Sequence, residues 1–220
     1  MFTISEQWKA FERPARGGKK GWNEDFADGA SIFMRLDDGE RCDLTSDLIR
    51  AWQFDLPLNR AMASGALRQA WESEPYLGGI RCGSFVSKVA HDTSDDFDLS
   101  MDEFADDWGQ FLMTATEEGK REAMEFPLTV YRGGTGTLDE VAQGVSWTLD
   151  LEIARFYARD WPKRWGIERG PMIVSMQVDS EDVAAFLDGR KEAELLVPYA
   201  SLLRDAMAEV TDRNDDRLAG

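Results

Sequence analysis

Apolar positions recur along this chain with two different periods. Thr45-Ser46-Asp47 supplies a cap for Leu48, Ile49, Trp52 and Phe54, and Leu58 to Trp71 carries apolar residues at three- and four-residue intervals, so both stretches predict helices. Ser100-Met101-Asp102-Glu103 has the spacing of a capping box and predicts a helix with Phe104, Trp108, Phe111 and Leu112 inward, ending near Gly119. Ser31 to Leu36 and Arg41 to Leu44 flank Asp37-Asp38-Gly39-Glu40, the pattern of a hairpin closed at Asp-Gly. Ahead of it, Trp8, Phe11, Trp22 and Phe26 are aromatic anchors around Arg13 to Gly21, read as a flexible basic loop with its charges in solvent. Gly78, Gly79, Gly83 and the acidic run Asp92 to Asp98 predict loops between Glu72 and Asp98. From Phe126 the period shortens: Leu128 to Tyr131, Met172 to Val178 and Ala193 to Val197 read as strands. The expected class is α+β. A mainly helical part with a small hairpin occupies 1–125, and a β-rich mixed sandwich occupies 126–220, the two packed as one structural domain.

Composition narrows the partners rather than the chemistry. The 220 residues are 43% hydrophobic and 30% charged, as in folded globular chains. Against 25 Lys and Arg stand 42 Asp and Glu, a net charge of −17 that repels a phosphate backbone and disfavours nucleic acid as a partner. Such an acidic surface suits a basic protein, or mimics DNA towards a protein that binds it. Cys42 and Cys82 have no Cys-x-x-Cys spacing and no nearby histidine, which excludes zinc and thioredoxin-type readings; a disulfide between them is possible but not required. Met1 to Trp8 lacks the basic segment and apolar core of a signal peptide, and no stretch approaches the roughly 18 apolar residues of a membrane span. The expected compartment is the cytoplasm of the cell that makes the chain, a host's if the gene is viral.

The candidate chemistry lies in the second half. Glu192 and Glu194 precede Leu195-Leu196-Val197-Pro198; in an extended chain, side chains two residues apart share a face, so the two carboxylates would share one cleft. Upstream stand Val130-Tyr131-Arg132-Gly133-Gly134 at the end of one apolar strand and Gly144-Val145-Ser146-Trp147-Thr148, followed by the helical Ala154 to Ala158. Taken singly these are ordinary features. Exposed glutamates commonly form a solvated strand face, a lone arginine a surface ion pair, and a serine a helix cap.

In this order and spacing, from about Phe126 to Tyr199, the three motifs resemble the ADP-ribosyltransferases of the arginine-serine-glutamate, cholera-toxin-like class, which includes phage-encoded transferases. The resemblance implies a core of that type that moves ADP-ribose from NAD to an acceptor, releases nicotinamide and needs no metal. It implies that Glu194 holds the ribose 2′-hydroxyl and stabilises an oxocarbenium-like transition state. Glu192 would orient or deprotonate the nucleophile, and a glutamate there points to a protein arginine as acceptor. Arg132 would bind an NAD phosphate, Gly133 leave its backbone open to the nicotinamide amide, Ser146 fix Glu194, and Thr148 hold the local turn. Asp160 to Gly166 would be the phosphate-nicotinamide loop, with Arg164 and Trp165 as cofactor contacts. Leu187 to Lys191 would be the loop that selects the acceptor.

Two other readings compete. Water as acceptor would make the protein an NAD glycohydrolase, and loss of catalysis on the same fold would leave an acidic binding or inhibitor protein. Older templates fit poorly: Gly133-Gly134-Thr135-Gly136 lacks the Gly-Lys-Ser/Thr of a P-loop, and the Gly134-x-Gly136 run meets Asp139 where a dinucleotide fingerprint wants glycine. His91 is the one histidine, beside an acidic run and without a nucleophile elbow, which leaves a serine triad unsupported.

Overall fold

Among the described residues, those of the first half are mainly helical and a sheet organises those of the second. A computed structural model describes residues 7–53, 56–73, 112–198, 200, 203 and 207–210. The chain divides into two units, Met1–Lys120 and Arg121–Gly220. The predicted loops from 74 to 98, with Cys82 and His91, lie outside the described residues, as do Phe54 and the predicted helix opening at Ser100 with Phe104, Trp108 and Phe111.

The first unit contains α1 (Trp8–Phe11), α2 (Gly18–Met34), α3 (Asp38–Gln53) and α4 (Arg60–Ser73); α5 (Ala115–Glu122) begins in it. The hairpin is absent: α2 runs through Ser31 to Met34 and α3 opens where the Asp-Gly turn was expected. The Glu40 amide donates to the Asp37 carboxylate at 2.9 Å and the Asp37 amide to the Glu40 carboxylate at 3.0 Å, a reciprocal cap. The helix so started buries Leu44, Leu48 and Ile49, more apolar surface than an isolated hairpin could cover. Thr45 and Ser46 therefore sit inside α3, donating their hydroxyls to the carbonyls of Arg41 and Cys42 one turn back. Cys42 is disulfide-bonded. At α5, Thr114 and Glu117 cap one another, and the helix continues through Gly119.

The basic stretch is a loop as far as Gly17, with Lys19 and Lys20 exposed, but it then enters α2 and its arginines are paired. Gly18 to Gly21 is the first turn of α2, and Arg13 donates to Asp25 at 2.7 Å and to Asp28 at 2.6 Å. The Arg16 amide and the Asn59 side chain also donate to Asp25, at 2.8 and 3.0 Å, so a carboxylate with no exposed surface keeps its hydrogen bonds. Burial pushes the Asp25 carboxyl up, but the donors from Asn59, Arg16 and Arg13 outweigh it and hold the group below the usual carboxylate range. Helices α2 and α4 touch backbone to backbone: a methyl on Gly29 would lie 1.9 Å from the Met62 carbonyl oxygen, and one on Gly65 1.9 Å from that of Phe26.

The second unit has β1 (Leu128–Thr135), α6 (Leu138–Ala142), β2 (Ser146–Thr148), α7 (Leu151–Arg164), β3 (Pro171–Val178), β4 (Ala185–Leu187), β5 (Glu194–Leu196) and β6 (Ala208–Glu209). Its strands form one six-stranded sheet in the order β4-β5-β2-β1-β3-β6, with every neighbouring pair antiparallel. The class is α+β, but among the described residues there is one antiparallel sheet where a mixed sandwich was expected. Helices cover β1 instead of a second sheet. A methyl at Gly133 would fall 1.8 Å from the Ala154 carbonyl oxygen of α7, and one at Gly134 2.9 Å from the Val141 side chain of α6, so the paired glycines admit a helix on each face. Ala154, Ala158 and Ile173 form the core beneath α7, with Tyr131 and Leu151 packed against it. Among the described residues no helix is long and apolar enough to cross a membrane.

Candidate active site

Three adjacent strands carry the three motifs. β2 lies between β1 and β5, with Tyr131 opposite Thr148 and Thr148 opposite Glu194. Directly opposed residues share a face, so Tyr131, Thr148 and Glu194 lie on one side of the sheet, and Ser146, two residues from Thr148, joins them. The Ser146 hydroxyl donates to Glu194 Oε1 at 2.6 Å, and Glu194 is only 5% exposed. A buried carboxylate that accepts such a bond is fixed in rotamer.

Glu192 reaches the same place by another route than strand alternation. β5 begins only at Glu194, and Glu192 sits in a turn flanked by Lys191 at φ 59° and Ala193 at φ 44°. Left-handed backbone at a residue with a Cβ costs on the order of 1–2 kcal/mol. The surroundings hold it there. Thr148 donates its hydroxyl to the Glu192 carbonyl at 2.5 Å and accepts from the Asp150 amide at 3.0 Å, while the Leu149 amide donates to the Ala193 carbonyl at 3.1 Å. Tyr157, from α7, donates its hydroxyl to Glu192 Oε1 at 2.9 Å. Burial first, and the Glu192 charge next, push the Tyr157 phenol well above its ordinary range, so it remains a donor at neutral pH. Arg190 Nη2 lies 2.9 Å from Glu192 Oε2 and 3.6 Å from Glu194 Oε2, one guanidinium nitrogen facing both carboxylates.

Arg132 occupies the opposite face of β1 from Tyr131. Its Nε donates to the Val141 carbonyl at 3.0 Å, at the C-terminal end of α6, and its Nη1 donates to the Ser146 carbonyl. Burial pulls this guanidinium below the ordinary arginine range, while the charge of Glu194 pushes it back up. Arg132 therefore couples electrostatically to Glu194 and is tied to Ser146 through the backbone, without entering the Glu194 face directly. Two carbonyls take two of the five N–H donors of a guanidinium. Gly144 makes the room: a methyl there would lie 1.9 Å from Arg132 Cζ. Gly133, predicted as an opening towards nicotinamide, is the point where α7 rests on β1, and its missing side chain is accounted for by that contact.

Arg164 and Trp165 stand apart. The segment expected to be a phosphate-nicotinamide loop is, through Arg164, the last turn of α7, because Tyr157, Trp161 and Trp165 recur every four residues and carry the helix on through the buried Pro162. Tyr157 and Trp161 lie 5.8 Å apart between ring centroids, as do Trp161 and Trp165. The row starts at the Glu192 hydrogen bond and ends at Trp165, 57% exposed. Arg164 stacks over the Phe156 ring at 5.2 Å. A groove of about 460 Å³ follows the flank of α7, lined by Ala158, Arg159, Pro162, Lys163 and Arg169 among others and by none of the predicted site residues.

The structure thus joins Glu194, Ser146, Glu192 and Thr148 by direct contact, links Arg132 through the Ser146 carbonyl, and leaves Arg164 and Trp165 at the far end of an aromatic row. Tyr157, Arg190 and Gly144 have parts in the cluster that motif reading did not give them. Tyr157 carried a signal, as a polar-tipped ring inside an otherwise apolar helix face; Arg190 lay in the loop read as selecting the acceptor but was not singled out there, because only the left-handed turn brings it round. In comparisons with known proteins, no family model, no curated protein and no solved structure matches this chain.

Proposed function

We propose that the second unit is a catalytic core of the ADP-ribosyltransferase type and that the protein is a mono-ADP-ribosyltransferase, moving ADP-ribose from NAD to a protein arginine with release of nicotinamide. The observation that carries this reading is the buried Glu194, held by Ser146 at 2.6 Å, beside a second carboxylate that already binds a guanidinium. Substitution at the nicotinamide-bearing ribose carbon develops positive charge, and a preorganised carboxylate with little access to water is the group that lowers such a barrier. In this assignment Glu194 faces the ribose, Ser146 orients it, and Glu192, braced by Tyr157, receives the acceptor's proton. Thr148 sets the turn that presents Glu192. Arg132, on the other face of the sheet and tied to the Val141 and Ser146 carbonyls, steadies the strand that carries Ser146. The net charge of −17 favours a basic acceptor.

The test is nicotinamide release from NAD by wild type and Glu194→Gln, with cell lysate added or omitted and lysate proteins read by mass. Expected is labelled protein and a release rate that falls about 100- to 1,000-fold in the variant. Equal release by both proteins would sink the reading. Release without labelling would identify a glycohydrolase, and no release together with intact partner binding a non-catalytic acidic binding protein.

A further inference from the structure

Each carboxylate of the cluster is held at one oxygen by a hydroxyl and turns its other oxygen towards a shared point. Ser146 donates to Glu194 Oε1 at 2.6 Å, and Tyr157 donates to Glu192 Oε1 at 2.9 Å. The remaining oxygens meet at Arg190 Nη2, 2.9 Å from Glu192 Oε2 and 3.6 Å from Glu194 Oε2. Only Ser146 belongs to a motif. Tyr157 comes from α7, and Glu192 is tied to that helix twice: its carbonyl accepts from the Thr148 hydroxyl, which in turn accepts from the amide of Asp150, the N-cap residue of α7, and its side chain accepts from Tyr157 further along the same helix. Phe156, edge-on at 5.3 Å, and Trp161, at 5.8 Å, hold the Tyr157 ring. Phenylalanine would fill that row equally well, so packing alone does not account for the hydroxyl. A glutamate in a turn has rotamer freedom to lose, and a donor fixed on a helix removes it while leaving Oε2 aimed at the shared point.

We propose that Tyr157 is a positioning residue that commits the site to a guanidine acceptor in preference to water, acting through Glu192. The inference rests on the transferase reading and divides the work between the two hydroxyls. Ser146 serves the carboxylate that faces the ribose cation, which every nucleophile meets. Tyr157 serves the carboxylate that removes a proton, which the two nucleophiles need unequally. A guanidinium is protonated at any working pH and must give up an N–H proton as its nitrogen bonds to the ribose carbon. The bond from that carbon to nicotinamide breaks, its electron pair leaves with neutral nicotinamide, and Glu192 Oε2 takes the proton and passes it to water. In hydrolysis a water oxygen forms the new bond with a lone pair it already has and sheds its proton to solvent. An aimed Glu192 therefore speeds transfer more than hydrolysis.

The experiment incubates the full chain with NAD and agmatine, a small guanidine, and measures ADP-ribosyl-agmatine and free ADP-ribose in the same reaction for wild type, Tyr157→Phe and Ser146→Ala. Both products come from the same molecules, so their ratio does not depend on the fraction folded. Expected for Tyr157→Phe is a ratio of transfer to hydrolysis about 10- to 30-fold below wild type, carried by kcat for agmatine and not by KM for NAD. Ser146→Ala lowers both products together and keeps the ratio near that of wild type. Tyr157→Phe added to Glu192→Gln lowers transfer no further, because the two residues act through one contact. An unchanged ratio in Tyr157→Phe, whether or not both rates fall, would overturn the proposal and leave the transferase reading in place, as would losses that add in the double variant. Wild type that releases nicotinamide without forming ADP-ribosyl-agmatine, or releases none, removes the transferase reading and this inference with it.

Discussion

Each unit of this protein buries a carboxylate, and the two are held in different ways. Asp25, with no exposed surface, accepts from Arg13, from the Arg16 amide and from Asn59 at 2.7 to 3.0 Å. Glu194, 5% exposed, accepts from the Ser146 hydroxyl at 2.6 Å, and the Arg190 guanidinium faces it at 3.6 Å. The first arrangement surrounds a charge inside a helical unit with backbone, amide and guanidinium donors, all at hydrogen-bond distance, which is how such charges are normally tolerated. The second fixes the rotamer with a hydroxyl and keeps the facing guanidinium beyond hydrogen-bond distance. A buried acid by itself is no sign of function; the kind of donor around it is.

The sharpest way to break that contrast is a pair of substitutions. Asp25→Ala strands the Asn59 and Arg16 donors and is expected to cost about 3 kcal/mol of stability, whereas Glu194→Gln, isosteric and still able to bond Ser146, is expected to change it by less than about 1 kcal/mol. Denaturant midpoints of the two variants decide; equal losses would mean that Glu194 is as structural as Asp25. A smaller effect is expected from Ser146→Ala, which removes only the orienting bond: nicotinamide release should fall about 10- to 30-fold, or ~1.5–2 kcal/mol, the range of one hydrogen bond to a charged group. An unchanged rate would show that Glu194 needs no orienting hydroxyl.

The smallest effect concerns an exposed acid that serves as a control for both. Glu140 is held at about 2, from a usual 4.5, first by its hydrogen bond with Arg169 and then by the Thr137 amide and hydroxyl. A depressed folded-state value means that its contribution to stability is present above 4.5 and lost as pH falls towards about 2. Glu140→Gln should therefore lower the thermal midpoint slightly at pH 7, the shift kept small because a solvent-exposed pair is screened, and meet the wild-type curve as pH falls towards about 2. Parallel curves for wild type and variant would rule the contribution out.

Periodicity made the longer elements legible in the sequence. The helix over Leu58 to Trp71 and the strands near Leu128 and Met172 stand out because their apolar residues repeat over enough positions to separate a period of 3.6 from one of 2, whereas three-residue β5 was read from the apolar run that follows Glu194. β4 and β6, three and two residues long, are too short to show a period at all. The hairpin failed because Asp-Asp-Gly-Glu reads equally as a tight turn and as the first turn of a capped helix, and the apolar residues that decide between them lie further on, at Leu44, Leu48 and Ile49. The Arg13 and Arg16 pairing was hidden for another reason: its partners are eight to fifteen residues away, beyond any local pattern. At the site, the order of Arg132, Ser146 and Glu194 was readable as a motif, but the route was not. Strand alternation was to bring Glu192 beside Glu194; a left-handed Ala193 does so instead, and that same turn selects Arg190.

Gly29 and Gly65 give the helical unit a key and a lock in each direction. Each helix presses its backbone into a notch in the other, so a shift of α4 along α2 by one turn would set Ala61 or Gln69 where only a hydrogen atom fits. The pair is thereby indexed like the teeth of a gear. Side-chain repacking elsewhere along these helices can drift over generations, while the phase between them stays where those two positions set it.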